Sequence, residues 1–160
     1  MDELDLREKP NRIPWPPVIY VASLALALIL QFVLPFQNLD RLLAEVPRWI
    51  GVAMMVGGGA LDLAAMMTLR RHGTTVLPNA ASKALCTTGV YGFSRNPIYL
   101  GNGVGMAGLA LALRWSWLLL LVPVASAAVT WLAIAREEEH LRYRFGSAHK
   151  DYCERVRRWI

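Results

Sequence analysis

Long apolar runs alternate with short polar clusters along this chain. Ile13 to Leu39 carries no charged side chain, Trp49 to Leu69 carries only Asp62, and Asn96 to Leu113 and Trp115 to Ala135 carry none. Each run is near or above the roughly 18 residues a helix needs to cross the hydrocarbon core of a bilayer. The pattern predicts an all-α, polytopic integral membrane protein with spans at about 18–36, 49–69, 97–113 and 115–135. Only the short turn Arg114-Trp115-Ser116-Trp117 separates the last two, so they form an antiparallel helical hairpin. Residues 1–17 read as an N-terminal segment, 18–160 as a single domain, and 136–160 as C-terminal helices outside the bilayer.

Finer features refine these elements. Pro14-Trp15-Pro16-Pro17 is a stiff lead-in, with Trp15 and Tyr20 suited to the membrane interface. Gln31 suits a hydrogen bond to a neighbouring helix, and 37–48 reads as a short connection. Gly57-Gly58-Gly59 follows no strand and has apolar flanks, which favours close helix packing over a dinucleotide loop. Gly101, Gly105, Gly108 and Ala112 recur at helical spacing and give the third span one smooth face. Asp62, an ionisable group at membrane depth, should face the bundle interior, either at a site or as a satisfied or neutral structural group. Pro97 suits a first helical turn. The last span should continue as helix through Tyr143 until Phe145-Gly146 breaks it. Ser147 can then cap an amphipathic helix with Tyr152, Val156 and Trp159 toward the membrane and Lys150, Arg157 and Arg158 near headgroups.

Charge sets the expected orientation. The chain is 55% hydrophobic and 18% charged, with a formal net charge of +5. Of its 17 Lys and Arg residues, all but Arg41, Arg48 and Arg114 fall on the side that holds the termini and the 70–97 loop. The positive-inside rule places that side in the cytoplasm, as in a bacterial-type inner membrane. A basic tail there meets anionic lipid headgroups rather than nucleic acid. Asp2, Glu3, Asp5 and Glu8 make a poor signal-peptide start, and Cys86 and Cys153 imply no disulfide framework.

Two polar clusters carry the candidate chemistry. One is Gly89 to Gly101, with Tyr91, Arg95, Asn96, Pro97 and Tyr99; the other is Arg136-Glu137-Glu138-Glu139-His140. The hairpin returns the chain to the side it left, so the two meet at adjacent helix ends. Gly-x-Ser-x-Gly, His-Glu-x-x-His and Gly-Lys-Ser/Thr patterns are missing, and His72, His140 and His149 lack a metal-ligand spacing. A small transporter or channel subunit with Asp62 in its pathway is the alternative these residues leave open.

Residues 51–160 resemble the membrane methyltransferases typified by isoprenylcysteine carboxyl methyltransferase, related to phospholipid N-methyltransferases. The resemblance rests on an ordered set of motifs: Leu85-x-x-x-Gly89-Val90-Tyr91, Arg95-Asn96-Pro97-x-Tyr99-x-Gly101, Glu137-Glu138-x-x-Leu141, and Phe145-Gly146 followed by Tyr152 and Arg155-Val156. It implies S-adenosylmethionine-dependent methyl transfer to a lipophilic or amphiphilic acceptor: an isoprenylcysteine-like carboxylate (as on a prenylated substrate), a thiol or a lipid amine. Carried over by position, Lys83, Leu85 and Cys86 would line the cofactor slot, largely through backbone, Tyr91, Asn96, Pro97, Tyr99 and Gly101 would surround the cofactor, and Glu137 would take its ammonium. Arg95, Arg136 and Glu138 are the candidates for orienting or assisting the acceptor. Asn96 stands where the family commonly has His, Ala133 where carboxylate-directed relatives often have Arg, and His149 where the family has the first Tyr after Phe-Gly.

Overall fold

The computed structural model describes residues 13–75 and 80–160; residues 1–12, read above as part of the N-terminal segment, and Pro78-Asn79, whose residue types suit a loop, lie outside the described residues. Helix α1 runs Trp15–Val33, α2 Gln37–Ala44, α3 Arg48–Arg71, α4 Pro97–Leu113, α5 Ser116–Val129 and α6 Ala135–Arg155. Pro16 and Pro97 sit in first turns, where a missing N–H costs no intrahelical bond. A π turn, Thr130–Ile134, joins α5 to α6, so Ser116–Arg155 forms one continuous path. Gly146, at φ 52°, breaks α6 where Phe145-Gly146 predicts it.

Three helical paths, Trp15–Val33, Arg48–Arg71 and Ser116–Arg155, are long and apolar enough to cross a membrane, and Pro97–Leu113 is a shorter apolar helix. The molecule is a multi-pass integral membrane protein. Its outer face fits that solvent: Phe32 is 79% exposed, Val56 67% and Trp131 80%. Such a surface would be a liability in water and is the ordinary contact with lipid chains.

Helices α3 and α4 form the tightest pair, and glycine is the reason. A Cβ on Gly58 would lie 2.5 Å from the Gly101 carbonyl oxygen and 2.9 Å from the Gly105 nitrogen. One on Gly51 would lie 2.5 Å from the Gly108 oxygen and 2.6 Å from the Ala112 nitrogen. The smooth face read from the sequence is therefore the seat of backbone-to-backbone contact. Of the Gly57-Gly58-Gly59 run only Gly58 packs; its two neighbours have open space beside them. Asp62 lies in the same seam against Gly101, and its Oδ1 is buried without a hydrogen-bond partner.

Helix α1 packs instead along α5, and a polar tie closes the end far from the two clusters. Gln31 donates to Asp40 Oδ2 at 3.0 Å, and Asp40 Oδ1 accepts from both the amide and the hydroxyl of Ser116. Gln31 thus makes the interhelical bond its sequence suggests. The 37–48 connection is not plain loop: Leu39 and Leu43, one turn apart, turn inward and Asp40 is held, so α2 forms. Asp40 also places a carboxylate at the N-terminus of α5, where free amides and the helix dipole favour it. Asp40→Ala should cost about 1–3 kcal/mol, because it strands Gln31 and Ser116 together. Thermal unfolding in detergent measures it, and an unchanged midpoint would show the tie to be dispensable.

The C-terminal segment departs from its expected placement. Tyr152 and Val156 are buried at 3% and 8% exposure, and Trp159 packs on the Val129, Ala133 and Ile134 cluster. These side chains face protein, not lipid. Trp15, Ile19 and Tyr20, at the start of α1, join the same cluster. An apolar stripe beside a membrane can be buried by either partner, and here the neighbouring helices supply the better-shaped surface.

Candidate active site

A cavity of about 270 Å³ opens where the start of α1, the end of α3, the 74–97 segment, the first turn of α4 and the start of α6 converge. Its walls are built locally. Thr74, just past the end of α3, accepts the Lys83 amide at 3.0 Å and the Ala84 amide at 3.4 Å on its hydroxyl, which pins the 82–86 stretch. His140 Nε2 accepts the Ser82 amide at 3.4 Å and ties that stretch to α6. His72 bridges Thr68 O at 2.9 Å and Thr88 Oγ1 at 3.2 Å, carrying the chain into a 3₁₀ turn over Gly89–Gly92. Gly89 enters that turn at φ 59°, a region that favours glycine, and lies against Thr68. Tyr152 then donates to the Tyr91 carbonyl at 2.7 Å, fixing the turn against the distal half of α6.

The acidic pole centres on Glu137. Its Oε1 accepts the Tyr99 hydroxyl at 2.6 Å, and among the described residues no Lys or Arg pairs with it. Tyr20 donates to the Tyr99 carbonyl at 3.4 Å and backs that residue from α1. The basic pole centres on Glu138, which holds two guanidinium groups. Arg95 reaches Oε1 at 3.0 Å, while Arg158 donates through Nε at 3.1 Å to Oε1 and through Nη2 at 2.6 Å to Oε2. Arg95 Nε is buried with no hydrogen-bond partner. Two cations on one carboxylate leave this wall positive, and an orphaned N–H there suits an anionic ligand group.

Burial raises the Tyr91 phenol above its ordinary range, and burial likewise raises the Cys86 thiol against opposing hydrogen bonds from Thr88. Both therefore present neutral side chains to the cavity at physiological pH.

The structure brings together most of the residues singled out from sequence. Leu85, Cys86, Tyr91, Asn96, Pro97, Tyr99, Glu137, Arg95 and Glu138 line the cavity. Three do not. Gly101 is taken up by the α3 seam, Lys83 has an exposed side chain, and Arg136 sits outside the wall. Asn96 reaches the wall but its amide is engaged, donating to the Arg158 carbonyl at 3.0 Å. Asp62 likewise is no part of the wall. Sequence reasoning missed Tyr20, Thr74 and Tyr152 as cavity residues, and it left His140, a member of the second polar cluster, without a role of its own. Tyr20 and Tyr152 looked interfacial, and Thr74 looked like ordinary loop. The one available signal was that a long polar connection in a small chain tends to carry function.

Residues 46–148 match the family model described as phospholipid methyltransferase. Among solved structures, the chain is similar to a eukaryotic intramembrane Ras methyltransferase, isoprenylcysteine carboxyl methyltransferase. The two share 24% identity at a TM-score of 0.65, over 91% of this chain and 52% of that one. This chain thus spans about half the length of that protein, and the likeness is one of fold. No curated protein matches it in sequence.

Proposed function

Because the chain belongs to the phospholipid methyltransferase family, we propose that its cavity binds S-adenosylmethionine and that it methylates a lipophilic or amphiphilic acceptor. The observation that supports this most directly is the two-pole cavity, with an unpaired carboxylate at Glu137 and a guanidinium-rich wall at Arg95. The amino-acid end of the cofactor is a zwitterion and needs both. Glu137, oriented by Tyr99, takes the ammonium, and Arg95 takes the carboxylate through its free Nε–H. Leu85 and Pro97 offer apolar wall, while Tyr91 and Tyr99 offer aromatic faces for a flat ring or a cation. When bound, the cofactor supplies an electrophilic methyl group on a sulfonium.

The protein's own contribution is to hold donor and acceptor together and keep water out. A carboxylate or thiolate acceptor needs no base from the chain. An amine must arrive deprotonated; Glu138, with both oxygens held by guanidinium groups, is a poor base, so His149 on the wall is the candidate to take a proton. Location supports this acceptor class, since the cavity opens among membrane helices. The charge asymmetry of the sequence supports a cytoplasmic placement of this end.

Calorimetric titration of the detergent-solubilised protein with S-adenosylmethionine and S-adenosylhomocysteine tests the cofactor. One-to-one saturable binding is expected, and no binding to folded protein, repeated in lipid nanodiscs, would overturn it. A chemical footprint gives a second readout. Cys86 lines the cavity and Cys153 does not, so S-adenosylhomocysteine should slow maleimide labelling of Cys86 while leaving Cys153 unchanged. Since the thiolate is the reactive form and burial raises the Cys86 pKa, its labelling rate should go on climbing above the pH where an ordinary thiol levels off. Equal protection of both cysteines would place the ligand elsewhere.

A further inference from the structure

We propose that the C-terminal segment Arg157–Trp159 is a clamp on this cavity, and that Arg158 is a positioning residue acting through Glu138 and Asn96. The sequence alone suggests a basic tail lying among lipid headgroups. The fold turns it inward, onto the three residues that precede α4. The Arg95 amide donates to the Arg157 carbonyl at 3.1 Å. The Arg158 carbonyl accepts the Asn96 side-chain amide at 3.0 Å and the Ser94 hydroxyl at 3.4 Å. Its guanidinium grips both oxygens of Glu138, the carboxylate that also holds Arg95. Trp159 anchors the segment on the apolar cluster that Tyr99 also contacts.

These contacts converge on one point. Ser94, Asn96 and Pro97 are buried, and Pro97 starts the helix whose first turn carries Tyr99. Whatever fixes residues 94–96 fixes the approach of Tyr99 to Glu137. A planar guanidinium is suited to that task, because its paired N–H groups set the carboxylate's orientation as well as its charge. Without the Arg158 guanidinium, Glu138 keeps a single bond to Arg95 and can rotate, and the main-chain carbonyl that accepts from Asn96 and Ser94 is no longer tied to α6. The clamp itself rests on the geometry; its effect on ligand affinity rests on the cofactor proposed for the cavity.

The test compares full-length Arg158→Ala and Arg158→Lys with the parent chain in one detergent. Amide hydrogen exchange over residues 94–99 and calorimetric titration with S-adenosylhomocysteine are the two readouts. Loss of charge-assisted bonds of this kind predicts about tenfold faster exchange confined to that segment and about tenfold weaker binding. Lysine keeps the charge but not the fork, so Arg158→Lys should recover part of both. Wild-type exchange and affinity in folded Arg158→Ala would overturn the clamp, and so would a uniform rise in exchange across the chain. Should Arg158→Ala fail to fold, Arg158→Lys carries the test: faster exchange confined to residues 94–99 supports the clamp, and wild-type exchange overturns it. If the parent chain binds no S-adenosylhomocysteine, the cofactor reading falls, and the exchange readout still decides the clamp.

Discussion

Glu137→Ala should weaken S-adenosylhomocysteine binding by roughly thirtyfold or more while leaving the fold intact. In the free protein the Glu137 carboxylate makes one hydrogen bond, to Tyr99, and no ion pair among the described residues. Removing it therefore strips few intramolecular contacts, and the thermal midpoint should move by no more than a few degrees. Binding is another matter. A carboxylate held in a cavity wall and facing an ammonium is half of a desolvated charge pair, and truncating such a partner costs about 2–5 kcal/mol. At about 1.4 kcal/mol per decade, that spans roughly thirtyfold to several thousandfold. Tyr99→Phe separates orientation from charge: it keeps the carboxylate and removes its one tether, for an expected loss of about tenfold. Calorimetry on the three proteins in one detergent ranks them. Near-parental affinity in Glu137→Ala would remove this residue from the role assigned to it, whatever else binds the cofactor.

The second large effect is structural. Gly58→Val should leave little or no folded protein, whereas Gly57→Ala and Gly59→Ala, its immediate neighbours, should be tolerated. A side chain at Gly58 meets the backbone of α4 at Gly101 and Gly105, and backbone cannot swing aside as a flexible side chain can. The two helices would have to part, losing close packing along the seam and exposing Asp62 beside Gly101. Overpacking commonly costs about 1–3 kcal/mol and more where nothing can yield. Gly57 and Gly59 face open space, so alanine there removes glycine's helix penalty of about 0.5–1 kcal/mol at no steric cost. Size-exclusion profiles and thermal midpoints of the three variants read the contrast. A Gly58→Val protein that elutes and melts like the parent would show that the seam is not tight in solution.

The two effects rest on different kinds of information. The glycine face of α4 was legible from spacing alone, because close approach of helices in a membrane requires small residues at one-turn intervals. Which glycine of Gly57-Gly58-Gly59 does the packing was not legible, since three adjacent residues point in three directions and only the partner helix selects one. Similarly, the two polar clusters could be paired from topology, because a hairpin brings its ends to one side. The pairing within them could not be read. Arg95 to Glu138, Asn96 to Arg158 and Tyr152 to Tyr91 span 43 to 62 residues of sequence and leave no periodic trace.

The sequence by itself determined the membrane class, the approximate positions of the apolar helices, the helix break at Gly146 and the end of the molecule at which the two polar clusters meet. Those follow from local chemistry: charge-free length, proline and glycine geometry, and the cost of burying charge in hydrocarbon. Tertiary structure alone decided which face of the C-terminal helix is buried, that Asn96 is held by the tail, and that residues 37–44 are helical. It also decided the phase of α6. The π turn at Thr130–Ile134 inserts roughly one residue and so rotates α6 relative to α5 by roughly 100°. Ala133 and Ile134 turn inward, and Glu137 comes to face Tyr99. In a membrane, lipid and protein interior are both apolar, so hydrophobic periodicity marks a helix without saying which side of it meets protein. Shape complementarity and the satisfaction of a few buried polar groups make that choice, and both exist only once the chain has folded.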